Sequence, residues 1–299
     1  IKIRLASIIL SMYPFKMNPQ EYCNQVTKKS HSNFLSAFIF LPKDKKNALI
    51  ALYAFCREVD DIVDESDEYE ESKKKLNWWR FEIDQLFEDK PQHQVTKALK
   101  PYISKFNLSK PYFIEIIDGM EMDLDLNRYK NFKELQLYCY RVASTVGILS
   151  VHIFGYEDNA TLKYAHNLGI ALQLTNIIRD LGDDAKRNRI YIPLEELKKF
   201  NITESEILNF IQDKKMEALV LDQAKRAIYF YKLAITNLPD IDKKNQKPGL
   251  IMANIYYALL SKIISNQPNN ILNQKISLSK FEKFQITLCT LFNVNLINN

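Results

Sequence analysis

Two stretches of this chain place carboxylates one helical turn apart. In ALYAFCREVDDIVDE, Asp60, Asp61 and Asp64 stand among Ala51, Leu52, Ala54, Phe55, Val59, Ile62 and Val63. At about 100° per residue, Asp60 and Asp64 lie about 40° apart on one helix face. Arg57 and Tyr53, three and seven residues before Asp60, share that face. Like charges so placed repel, and burial raises a carboxyl pKa unless a cation relieves it, so a divalent metal is the natural counter-ion. Taken alone, the stretch also reads as a solvated acidic helix end. The second stretch, LGIALQLTNIIRDLGDDAKRNRIYIP, changes the balance. Its Gln173, Asn176, Asp180 and Asp184 recur at spacings of three, four and four, a polar stripe on a helix otherwise built of Ile, Leu and Ala. Oxygen ligands presented singly from helices suit Mg²⁺, which keeps several waters and binds through a few carboxylates plus substrate phosphates. Two facing Asp-xxx-Asp helices would therefore grip diphosphate groups through bridging Mg²⁺. Arg57, Arg179, Lys186, Arg187 and Arg189 stand beside the clusters as donors for phosphate oxygens, with a plain surface ion pair an equal reading of each.

The elements that carry these residues are expected to be helices throughout. Six glycines in 299 residues is scarce against an average usage of about 7%, and Asn-Gly or Asp-Gly hairpin turns are missing, which disfavours β-rich folds. Helical periodicity recurs from end to end, broken at Pro42, Pro91, Pro101, Pro111, Pro193, Pro239 and Pro268. The pattern predicts about ten helices in an all-α chain, with the clearest near 43–65, 69–88, 111–126, 131–154, 158–186, 204–237 and 249–266. Gly119, Gly147, Gly169 and Gly182 all fall inside these helices, where each costs about 1 kcal/mol relative to Ala. Gly147 is expected to make room for a ligand chain, and Gly182 to let its helix adjust around metal.

Composition narrows the function further. With 46% hydrophobic and 26% charged residues the chain reads as an ordinary globular protein. The net charge of +5 is modest, and its lysines alternate with glutamates, so no nucleic-acid partner is expected. Cys23, Cys56, Cys139 and Cys289 show neither CxxC nor a His at ligand spacing, which fits a reducing cytoplasm better than a disulfide framework or zinc site. The mildly basic surface extends the expected location to peripheral association with the inner face of a membrane. No run reaches about 18 consecutive apolar residues, so no membrane-spanning helix is predicted. Residues 1–16, IKIRLASIILSMYPFK, begin without Met and are read as an N-terminal extension. Residues 17–299 are read as one domain.

These motifs, together with MNPQEYC, EIIDGMEMDL and LQLYCYRVAS, resemble the squalene/phytoene synthase family of head-to-head prenyl transferases, from Met17 to about Lys283. Within it the runs are most similar to bacterial presqualene diphosphate synthases of squalene and hopanoid biosynthesis. The resemblance implies a single isoprenoid synthase domain, an all-α bundle around a central cavity with the aspartate motifs at its mouth. Asp60, Asp64, Asn176, Asp180 and Asp184 would hold Mg²⁺ and diphosphate, with Asp61 and Asp183 adjacent. Tyr53, Arg57, Gln173, Arg189, Tyr191 and Tyr256 would contact diphosphate, and Lys275 stands where an arginine is common. Tyr138 would act near a carbocation, although on its own it reads as a core tyrosine. Val142, Val146, Gly147 and Leu149 or Ser150 would line a prenyl tunnel.

One segment departs from the family pattern. SHSNFLSAF keeps Ser30, Ser32, Phe34 and Phe38 as substrate contacts but carries His31, Asn33, Leu35 and Ser36, which puts substrate preference in doubt. The implied reaction condenses two farnesyl diphosphates to presqualene diphosphate, with Mg²⁺ and without NADPH, for downstream squalene-forming enzymes. Rival readings are a complete squalene synthase using NADPH, a phytoene synthase taking two twenty-carbon substrates, and a non-enzymatic assembly-factor relative, which the intact aspartate motifs oppose. A terpene cyclase would carry a different second metal motif.

Overall fold

The longest amphipathic pattern of the chain becomes its central helix, α8 (Ala160–Lys186), which buries residues on most of its circumference, from Thr161 and Tyr164 to Leu181 and Ala185. A helix buried over most of its surface needs neighbours on most sides, and its Gln173, Asn176, Asp180 and Asp184 face is left half-buried. The structure, a computed structural model, describes residues 17–29, 41–64, 68–265, 271–294 and 296–298. Before α8 in the chain come α1 (Pro19–Lys29), α2 (Lys43–Asp64), α3 (Tyr69–Phe87), α4 (Gln94–Ile103), α5 (Lys110–Asp125), α6 (Phe132–Cys139) and α7 (Thr145–Phe154), of which α6 and α7 pack on α8 while α1, α3 and α4 pack on α2, and α3 also on α5. After it come two short helices, α9 (Leu194–Lys199) and α10 (Glu204–Leu208), then α11 (Lys214–Asn237), α12 (Lys247–Ser265) and α13 (Lys280–Leu291). Among the described residues the only β feature is an isolated bridge between Arg128 and Ile190. The all-α expectation therefore holds. Residues 1–16, and Ser30, Ser32, Phe34 and Phe38, lie outside the described residues.

Between α6 and α7 the chain makes a π-helical turn over Tyr140–Ser144. That turn is held by close crossings. A Cβ on Gly169 would sit 2.5 Å from Ser144 Cα, so only glycine lets α8 approach the turn this closely, and Ser144 Oγ donates to His166 O at 2.7 Å across the contact. The extra residue in the turn re-aims the side chains on either side of it, Tyr138 before and Val146 after. The continuous run Phe132–Phe154 is long and apolar enough to cross a membrane, but more than half of its most apolar window is buried in the fold, against α5 and α8.

Three expectations are corrected. The helix expected over 204–237 is two helices, because Phe210 takes a left-handed φ of 57° and Asp213 then caps a new start by accepting from Lys215 N and Met216 N, both at 2.9 Å. Pro101 does not end a helix but lies inside α4, in its last turn, where Lys97 and Pro101 are both exposed. Gly182 does not face the metal-binding side of α8. A Cβ there would meet Leu272 O at 2.0 Å, so its role is to let the 271–275 segment lie directly on the helix.

Candidate active site

The carboxylates of α2 and α8 converge on one charged cavity of about 660 Å³. Its wall holds Asp60, Asp64, Asp123, Asp180, Asp183 and Asp184 against Arg57, Arg179, Lys186, Arg187, Arg189 and Lys275, six carboxylates facing six cations. Arg57 pairs with Asp60 at 3.1 Å and also with Asp61 on its own helix. Asp64 is held from the far side by Arg187 at 3.1 Å and Arg189 at 3.0 Å. Those arginines are brought there by the segment after α8, which the Arg128–Ile190 bridge and the Ile190 N donation to Asn127 O at 3.1 Å fasten to the end of α5. Asp180 pairs with Arg179 and with Lys275, the latter at 2.7 Å, and Lys275 also reaches Asp183 at 3.1 Å.

Compensation is uneven. Burial works against the charge of Asp180, yet Arg179 and Lys275 hold its carboxyl below the usual range. Asp60 is pushed up to about 7, first by burial and then by Asp64. Asp184 is likewise pushed up to about 7 by burial, Asp180 and Asp123. Asn176, one turn before Asp180, leaves a buried Oδ1 without a hydrogen-bond partner, while its Nδ2 donates to Gln173 Oε1 at 3.3 Å. Among the described residues no three Asp, Glu, His or Cys side chains converge closely enough to form a metal cage. The donor set nonetheless fits Mg²⁺, which asks for one or two carboxylates and takes its other ligands from water and phosphate. The orphaned Asn176 Oδ1 and the under-compensated Asp60 and Asp184 are oxygens that a hard cation would satisfy.

Below the charged cavity lie two others. One, of about 190 Å³, runs between α7, α8 and α12 and is lined by Val142, Val146, Gly147, Ser150, Phe154 and Tyr256 among others. Of the two alternatives at its wall, Ser150 faces it and Leu149 belongs to the buried core. The second, of about 180 Å³, is bounded by Tyr53, Cys56, Ile116, Met120, Tyr138 and Val142. Gln173 borders all three cavities. Tyr138 stands between the charged cavity and the second of these, its ring stacked on Tyr191 with centroids 5.3 Å apart and tilted against Tyr129 at 5.5 Å. Burial, and next to it the charge of Asp123, hold the Tyr138 hydroxyl far above its ordinary pKa and therefore protonated.

Asp123 is the residue that spacing along the chain did not reveal. Nearly buried on α5, it accepts from Tyr191 Oη at 2.5 Å and pairs with Arg189 at 3.3 Å. Its signal was membership of the run EIIDGMEMDL near the expected helix end at 126, but no carboxylate stands three or four residues from it to mark a face. Tyr129, buried with an unpartnered hydroxyl, carried no signal.

A family profile described as squalene/phytoene synthase matches residues 27–282. The phytoene synthase of Arthrospira platensis is 34% identical over 276 residues, 88% of this chain and 89% of that protein. The 15-cis-phytoene synthase of Synechocystis is 33% identical over 261 residues, 83% and 77% of the two chains. Against the longer chloroplastic phytoene synthase of an Oncidium hybrid cultivar the identity is 33% over 254 residues, 83% of this chain but 62% of that protein. Among solved structures, a dehydrosqualene synthase superposes with a TM-score of 0.81 at 27% identity, over 92% of this chain and 96% of the other. A squalene synthase from Alicyclobacillus acidocaldarius superposes with a TM-score of 0.76 at 24% identity, over 84% and 95%, a likeness of fold.

Proposed function

The chain belongs to the squalene/phytoene synthase family, and we propose that it joins two farnesyl diphosphates head to head, releasing one diphosphate and forming presqualene diphosphate. The observation that carries this reading is the junction at Gln173, where a charged cavity meets two smaller ones reaching into the helical core. Arg57, Arg179, Arg187, Arg189 and Lys275 would hold the two diphosphate heads, and each prenyl chain would enter one of the lower cavities. Mg²⁺, held by Asp60, Asp64, Asn176, Asp180 and Asp184, would neutralise diphosphate charge when bound. Cleavage of one C–O bond sends its electron pair to the leaving diphosphate, which the cavity's cations stabilise as its charge develops. The allylic cation left behind is attacked by the double bond of the second substrate, and loss of a proton closes the cyclopropane ring. Tyr138 and Tyr191 present aromatic faces that stabilise a cation without adding a nucleophile. The apolar walls keep out water that would otherwise capture the cation as an alcohol.

A second reading, in which two geranylgeranyl diphosphates are joined, is favoured by the phytoene synthases among the relatives. Purified protein incubated with Mg²⁺ and either substrate, with and without NADPH, separates the readings. Presqualene diphosphate from farnesyl diphosphate, independent of NADPH, is expected. Squalene appearing only with NADPH, or turnover restricted to geranylgeranyl diphosphate, refutes the product assignment.

A further inference from the structure

Helix α13 wears its apolar side outward. Its inward face is fastened through polar groups: Thr290 Oγ1 accepts from Asn254 Nδ2 at 2.9 Å, Thr290 O accepts from Lys247 Nζ at 2.8 Å, and Thr287 is buried beside them. Phe281, Phe284 and Leu288, and Phe292 just past the helix, are 67%, 59%, 37% and 79% exposed. At about 100° per residue these four fall within an arc of about 80°, a continuous stripe and not scattered surface residues. Water on such a stripe is unfavourable, so an apolar partner laid on it would be bound favourably.

Two features of its surroundings select the partner. The first is charge. From residue 275 to residue 294 the one acid, Glu282, is paired with Lys262 at 2.8 Å, and of the three lysines Lys275 is engaged by Asp180 and Asp183 and Lys283 is half-buried, which leaves Lys280 as the exposed charge beside the stripe. Lys280 is exposed at the start of the stripe. Phenylalanine and leucine on one face, with lysine at the border, is the composition of a helix lying in an anionic lipid interface. The second feature is position. The segment leading into α13 rests on Gly182 through Leu272 O and carries Lys275 to Asp180 and Asp183, and Lys283 lies close enough to Arg179 for their like charges to interact. The helix that bears the stripe thus starts beside the mouth of the charged cavity.

We propose that α13 docks this protein onto an anionic lipid bilayer through Phe281, Phe284, Leu288 and Phe292, holding the active-site mouth at the membrane surface. The choice of a membrane rests in part on the prenyl-diphosphate reading, since such substrates are amphiphiles and the condensed product is more apolar than either of them. Docking at the mouth shortens the path of both between bilayer and cavity.

Vesicle binding without substrate tests the docking independently of catalysis. Sedimentation with vesicles of phosphatidylcholine alone, and of phosphatidylcholine and phosphatidylglycerol in equal parts, should show preference for the anionic set. The triple variant Phe281→Ser, Phe284→Ser and Phe292→Ser, checked for an unchanged helical circular dichroism signal, should lose about tenfold or more in partitioning. Lys280→Ser should lose about fivefold, on the anionic vesicles only. Turnover of detergent-dispersed substrate should be the same in the triple variant as in the wild type. Absence of wild-type binding, or equal binding by the triple variant, overturns the proposal. So does a wild-type dimer, seen by light scattering, that the three serines convert to monomer, which would assign the stripe to a second copy of the chain. A wild type that binds vesicles but turns over no prenyl diphosphate would instead count against the catalytic reading and leave the docking intact.

Discussion

Replacing Gly182 by alanine tests how the basic arm over the active site is held. A Cβ at that position would stand 2.0 Å from Leu272 O, whereas ordinary van der Waals contact begins at 3.4 Å, so the two backbones must part by about 1.4 Å (3.4 minus 2.0). The obstacle is a carbonyl, which no side-chain rotation relieves. Overpacking of this kind costs about 1–3 kcal/mol, offset by the roughly 1 kcal/mol that alanine gains over glycine inside a helix. The expected net is a loss of up to about 2 kcal/mol, and each kcal/mol lowers Tm by about 2–4 °C in a chain approaching this length. The larger effect is functional. Lys275 lies three residues beyond Leu272, and its ion pairs of 2.7 Å to Asp180 and 3.1 Å to Asp183 are lost or lengthened when that segment lifts. Because a displacement of about 1 Å can cost about a hundredfold in rate, Gly182→Ala should raise KM for the prenyl diphosphate and lower kcat/KM by one to two orders of magnitude. Lys275→Ala should reproduce the kinetic defect without the loss of Tm, and the double variant should be little worse than either, as coupled sites are. Steady-state kinetics with thermal denaturation followed by circular dichroism provides the readout. A Gly182→Ala protein with a raised Tm and an unchanged KM would refute the reasoning, since it would mean that the segment does not rest on the helix.

Asp60→Ala or Asp180→Ala should abolish turnover while leaving the helical circular dichroism signal near wild type, and should weaken Mg²⁺-dependent binding of inorganic diphosphate measured calorimetrically; retained turnover would defeat the metal-site proposal. Asp123→Ala should lower stability by about 1–3 kcal/mol, the cost of leaving buried hydrogen-bonding groups without a partner, and reduce kcat more than it raises KM, because Tyr191 and Arg189 lose a shared anchor. An Asp123→Ala protein with wild-type kinetics would show that the anchor serves folding alone. Val146→Phe, which projects into the cavity of about 190 Å³, should reduce turnover of the longer prenyl diphosphates relative to a ten-carbon one, and an unchanged preference would remove that cavity from the substrate's path.

Several parts of this architecture were legible in one dimension because they depend on neighbours three or four residues away. The periodicity of α2 and α8 put Asp60 with Asp64, and Asn176 with Asp180 and Asp184, on single helix faces, and all five border the charged cavity. The break inside 204–237 was missed because Phe210 gives no hint of a left-handed φ, although Asp213 is a good helix cap. Gly182 was placed correctly inside a helix but on the wrong side, since a glycine carries no polarity to say what it faces.

Helical class, the two aspartate faces and the scarcity of turns follow from local backbone preference and the 3.6-residue repeat, which act over a few residues and are written directly into the order of side chains. The partners of those faces are not. Asp64 meets Arg189 across 125 positions, Asp180 meets Lys275 across 95, and Tyr191 meets Asp123 across 68. Such pairs exist only after α2, α5 and α8 have packed against one another. The same packing decides that burial lifts the carboxyls of Asp60 and Asp184 to about 7 while Asp180 stays low, and that the phenylalanines of α13 face outward. Solvent exclusion and long-range contact are properties of the assembled helices, and no spacing within a single helix encodes them.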